Sequence, residues 1–96
     1  MNLYQLAASQ HGRVVALVDT RRIFDIEAAR AAGVDVARLL VAQPDDDRQA
    51  FEIVECLARS GAVDTITVLG SITAPVGAAL RLHSIANRTN TSLRWC

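Results

Sequence analysis

The sequence predicts an α/β fold, a minimal three-layer α/β/α sandwich on about four parallel strands. Three observations predict it. Segments of helical and strand character alternate in the order α-β-α-β-α-β-α-β, which builds a parallel sheet covered by helices. The strand segments are short apolar runs rich in β-branched residues, as expected of strands buried on both faces. The composition, 51% hydrophobic and 21% charged over 96 residues, is that of one globular domain. A chain of this size buries roughly 60–68% of its unfolded surface, enough for a core without metals or disulfides.

Each element has its own reason. Residues 3–10 read as a short helix, with Leu3, Leu6 and Ala7 on one face and Gly12 as its stop. Residues 13–19, RVVALVD, form a strand that ends on a polar residue. After a loop at 20–24, Asp25 caps a helix through Ala32 that Gly33 closes. Residues 39–43, LLVAQ, make the second strand, and Pro44 to Asp47 the turn and cap of a helix from about Asp46 to Ser60. Its apolar positions Ala50, Ile53, Val54, Leu57 and Ala58 fall at i, i+3, i+4, i+7 and i+8, one stripe. Gly61 ends it, and residues 65–69, TITVL, are the third strand. Pro75 suits the first turn of a helix to about Asn87, whose apolar positions include Val76, Ala79, Leu80 and Ile85. Residues 92–96 are the last short strand. Nothing reads as a linker, a repeat or a second domain.

Composition excludes several chemistries. The net charge is zero, and all ten basic residues are Arg. Without Lys there is no lysine for a Walker A phosphate loop and no Schiff-base amine. A neutral chain is not a bulk electrostatic binder, so nucleic acid is not an expected partner. Cys56 and Cys96 form no CxxC pair, so neither a zinc site nor a thioredoxin-type redox centre is indicated. No apolar run reaches the length of a membrane span, and no signal peptide is evident. A cytoplasmic location and no cofactor are expected.

The run LLVAQPDDDRQAFEIVECLARSGAVDTITV, residues 39–68, resembles the RecA recombinase core. There a strand ending in Q-P-D leads into a helix ending A-R-S-G-A-V-D and then the Walker B strand. Gln43, Pro44, Asp45, Gln49, Ala50, Glu52, Ile53 and the stretch Leu57–Asp64 match in order. Upstream, Asp25, Ala29, Arg30, Gly33, Val34 and Asp35 match the preceding family segment; the last twenty residues match more weakly. The resemblance implies a RecA-like domain over 1–96 whose phosphate-loop strand is missing. It puts the catalytic Glu position at Arg21 and the Walker B Asp position at Leu69. A guanidinium is no general base and a Leu no ligand for a hard cation. The first DNA-binding loop is shortened to GSITAP, and the second would lie beyond Cys96. The expected protein is therefore not an enzyme.

What the resemblance leaves is a contact surface. In RecA-like recombinases the Q-P-D strand and the following helix help accept a segment of the neighbouring protomer at the sheet edge. The corresponding positions are Val41, Gln43, Ala50, Val54 and Leu57. The helix positions serve equally as ordinary core. Arg94 and Trp95 lie on the last strand, which the resemblance leaves as an open edge suited to a homodimer or partner; Trp95 can also pack inward.

Lesser signals have structural readings. Asp45, Asp46 and Asp47 precede a helix and suit capping rather than a metal. Asp19 and Asp25 read as a strand-end polar residue and a cap rather than a catalytic pair. His11 and His83 stand in no motif. Cys56 reads as a half-buried filler, and Arg21 and Arg22 as a solvated loop pair. The favoured function is a non-catalytic accessory of the bacterial DNA-damage (SOS) response. An ImuA-like accessory of translesion mutagenesis leads, partnering RecA or a translesion polymerase subunit. The alternatives are a SulA-like cell-division inhibitor binding FtsZ and a truncated RecA-type protein with residual ATP or DNA binding.

Overall fold

The computed structural model describes residues 2–70, 72 and 77–95, with the side chains of 78–80, 83 and 95 outside the description. The alternation read from the sequence is present. The elements are α1 (Leu3–Gln10), β1 (Val15–Asp19), α2 (Ile26–Ala31), a 3-10 turn (Val36–Arg38), β2 (Leu39–Ala42), α3 (Asp47–Ser60), β3 (Thr65–Leu69), α4 (Ala78–Thr89) and β4 (Ser92–Trp95). The four strands form one sheet in the order β2-β1-β3-β4, and every pairing is parallel.

Local chemistry sets the boundaries. The Asp25 side chain accepts from the amides of Glu27 and Ala28, and Asp46 accepts from Gln49 N at 2.8 Å. Gln49 returns the favour, its Oε1 accepting from Asp45 N at 2.6 Å. Each such cap stabilises its helix by about 1 kcal/mol. Asn2 caps α1, and His11, at φ 48, turns the chain out of it. At its far end α3 stops on Gly61, whose φ of 66 a side chain would resist. Helix α4 starts at Ala78, not Pro75, with Gly77 at its N-cap; Pro75 lies outside the described residues. The 3-10 turn had no signal in the hydrophobic pattern; Asp35 caps it through Ala37 N.

The sheet has two unlike faces. On one, Ala16, Val18, Ile66 and Val68 pack against Ala50, Phe51, Val54 and Ala58 of α3 and Leu82 and Ile85 of α4. Fully buried Ile66 and Leu82 each contribute roughly 2 kcal/mol by leaving water. Arg81 crosses from α4 to Glu55 of α3 at 3.0 Å and lies over the Phe51 ring. On the other face, Leu6, Val15, Ala29 and Val34 form a smaller cluster under α1 and α2. Gln10, 2% exposed, locks α1 to the 3-10 turn, donating to Asp35 O and accepting from Asp35 N.

All five residues of β1 are buried. Strands β3 and β4 differ: toward α1 they present Thr65, Thr67, Ser92 and Arg94, in register across the pair. The run TITVL is thus an alternating strand and not a doubly apolar one. Cys56 is exposed, not the half-buried filler its helix position suggested.

Candidate protein-binding edge

Strands β1 and β3 end side by side, Asp19 opposite Leu69. α/β folds place ligand sites at such strand ends. Here the chain fills the position itself. Asp19 is fully buried, and its carboxylate accepts from Arg21 N at 3.2 Å, Phe24 N at 2.7 Å and Gln43 Nε2 at 3.2 Å. Three donors on one carboxylate fold the loop after β1 back over the strand end and tie it to the end of β2.

Thr20 adds a second tie. Both its amide and its hydroxyl donate to Leu69 O. The Thr20 and Arg21 side chains occupy the space a side chain at Gly70 would need: φ is 95 there, and any Cβ would collide with the Thr20 hydroxyl. Leu69, 5% exposed, is buried beneath. The two positions assigned to a catalytic Glu and a metal-binding Asp thus sit at one rim, as a guanidinium-bearing loop residue and an apolar core residue. Among the described residues no group of His, Cys, Asp or Glu is placed to hold a metal ion.

Strand β2 lies beside this rim, at one edge of the sheet, and no strand pairs with its outer side among the described residues. Leu40 is 50% exposed and Val41 40%. An edge strand with free backbone groups and exposed branched side chains is a template for a partner's strand. Arg22, in a left-handed turn at φ 54, links the loop after β1 to the end of β2, donating to Gln43 O at 3.2 Å and pairing with Asp45 at 2.6 Å. The same loop exposes Ile23, and Ile26 at the start of α2 is exposed as well.

The residues chosen from the sequence fall in three places. Val41 and Gln43 are at the β2 edge, Gln43 with its side chain turned to Asp19. Ala50 and Val54 are fully buried in the core and reach no surface. Their stripe faces the sheet, so they hold α3 in place. Leu57 is partly buried against the same core. Arg94 is in β4 at the opposite edge, roughly 14 Å away across three strand spacings. The backbone of Trp95 pairs with Val68, and its side chain is outside the described residues. Leu40, Ile23 and Arg22 were not singled out. Leu40 is adjacent to Val41 and apolar, yet only the edge placement marks it.

The remaining signals resolve simply. Asp46 is the cap of α3, Asp45 the partner of Arg22, and Asp25 the cap of α2. His11 is a helix-end residue; Cys96 lies outside the described residues. No helix among the described residues is long and apolar enough to cross a membrane.

Comparison with known proteins agrees with this geometry. The RecA N-terminal domain family matches residues 1–87. Protein RecA of Thermus aquaticus is 56% identical over 61 residues, covering 64% of this chain and 18% of that protein. Protein RecA of Corynebacterium jeikeium is 49% identical over 67 residues, 69% of this chain and 18% of its own length. The chain thus spans less than a fifth of the RecA proteins it matches. The crystal structure of SulA from Pseudomonas aeruginosa superposes with a TM-score of 0.72 at 22% identity, covering 98% of this chain and 81% of that one, a likeness of fold. A family match over nearly the whole chain, joined to a parallel sheet with the expected strand alternation, leaves one assignment: the chain belongs to the RecA N-terminal domain family.

Proposed function

We propose that this chain is a non-catalytic, RecA-related accessory of the SOS response that works by protein–protein contact through the β2 edge. The observation that carries the reading is the pairing of an exposed apolar edge strand, Leu40 and Val41, with a strand-end rim occupied by the chain's own Asp19, Thr20 and Leu69. A partner segment pairing with β2 gains main-chain hydrogen bonds, and the two exposed side chains supply specificity.

Within this reading an ImuA-like role in translesion mutagenesis is favoured, with RecA or a translesion polymerase subunit as partner. The 56% identity to a RecA protein over 61 residues supports it. A second reading, a SulA-like division inhibitor binding FtsZ, draws on the fold likeness to SulA. A homodimer through an open sheet edge is compatible with either, and cytoplasmic action with both.

Two experiments test the proposal. Calorimetric titration with ATP and Mg²⁺ is expected to give no saturable heat; micromolar binding would favour a RecA-type protein with residual ATP binding. Affinity capture from DNA-damaged bacteria is expected to recover RecA, a translesion polymerase subunit or FtsZ. Capture that survives Leu40→Lys with Val41→Lys would remove the β2 edge from the mechanism.

A further inference from the structure

Six arginines are committed to carboxylates: Arg22, Arg30, Arg38, Arg48, Arg59 and Arg81. Among the described residues Arg13, Arg21, Arg88 and Arg94 carry no ion pair. Two of these four, Arg13 and Arg94, are among the residues that line one groove. It measures about 210 Å³ and runs between α1 and the β3–β4 half of the sheet, open to solvent.

Beside Leu6 and Val15, its lining includes the row of polar side chains that breaks the apolar pattern of the sheet. Thr65 and Ser92 are register partners, as are Thr67 and Arg94. No Asp or Glu lines it. Asp64, next to Thr65 in the chain, directs a carboxylate oxygen to Val14 N at 2.9 Å instead. Thr67 is the telling residue. It lines the groove and is 5% exposed as a residue, and its hydroxyl, which bonds no group of the protein, is not a buried atom but is reached by solvent. Such a hydroxyl is free to donate to a bound oxyanion.

Two unpaired guanidinium groups, a row of hydroxyl donors and no acid make a site for an oxyanion. Arg is suited to it because its planar fork matches phosphate oxygens. The volume is below that of pockets enclosing drug-sized ligands. It fits a headgroup whose organic remainder extends into solvent. We infer that the groove between α1 and β3–β4 binds the phosphate of a small phosphate monoester. The site is separate from the β2 edge and does not depend on the function proposed for it.

The test is a titration of ¹⁵N-labelled protein with inorganic phosphate at constant ionic strength, followed by amide NMR. Saturable shifts are expected at Thr67, Ser92 and Arg94, with sulfate competing. Arg94→Gln should weaken binding at least tenfold, and Thr67→Val, nearly isosteric, about threefold. Arg94→Lys should recover part of the loss. Arg88→Gln removes an equally unpaired arginine elsewhere and should change nothing. Linear, unsaturable shifts overturn the inference, as does equal weakening by Arg88→Gln; the spectra themselves report whether each variant is folded.

Discussion

The two edges of the sheet are built from strands of equal length and opposite chemistry. Strand β2 offers Leu40 and Val41 to solvent and little charge; β4 offers Ser92 and Arg94 beside a polar groove. The difference lies in what each edge rests on. Strand β2 is tied at its C-terminal end to the loop after β1, through Asp19, Gln43 and Arg22. Among the described residues no strand lies on its outer side. Strand β4 is anchored at the other end, where Ser92 N donates to Asp64 O and the Thr91 hydroxyl to Val63 O. An ordered apolar edge suits another chain's strand, whereas a polar cationic one suits solvent and small anions.

The largest expected effect comes from the tie behind the β2 edge. Asp19→Ala leaves the amides of Arg21 and Phe24 and the Gln43 side chain without their acceptor in a buried setting. Urea unfolding should show a loss of about 3 kcal/mol. A loss below about 1 kcal/mol would mean that the edge owes its order to something else. Gly70→Ala follows, at about 2 kcal/mol, because φ is 95 and the Thr20 hydroxyl occupies the Cβ position. Its thermal unfolding would show whether the rim is a rigid seam or can open.

Changing the edges themselves sharpens the contrast. Leu40→Lys with Val41→Lys should lower partner capture at least tenfold, about 1.4 kcal/mol in binding. Stability should move by less than about 1 kcal/mol, since both residues are about half exposed at the edge. Arg94→Gln at the other edge should leave capture intact; equal losses would erase the distinction. The smallest effect is that of Arg22→Ala. The Arg22–Asp45 pair is well exposed, and its removal should cost less than about 0.5 kcal/mol by denaturant titration, less still in high salt.

Much of this fold is readable in the residues. Strand alternation, the caps at Asp25 and Asp46 and the stop at Gly61 follow from local chemistry, which acts over three or four residues. The fold class follows from the alternation. The site is less legible. The stripe Ala50, Val54, Leu57 reveals that α3 has a buried face, but not whether sheet or partner covers it. Edge position is a property of strand order, set by pairings between residues about fifty apart, and it entered only through the family resemblance. The alternation in TITVL was present, yet a run of four β-branched residues and a Leu also fits a fully buried strand. Gln10 and Asp35, 25 residues apart, give no sign in the sequence that they join.

The inner position of β1 bears on how the chain is assembled. It pairs with β2 on one side and with β3 on the other. Val15 meets Leu39 first, but its partner Thr65 is fifty residues further on. During synthesis the most apolar strand therefore has one flank unsatisfied until β3 emerges. Pairings this distant in sequence are slow to form, and an unpaired apolar strand invites association meanwhile. The chain's vulnerable moment thus precedes the native state: β1, sealed once folding is complete, is the segment that a nascent or unfolded molecule has most reason to shield.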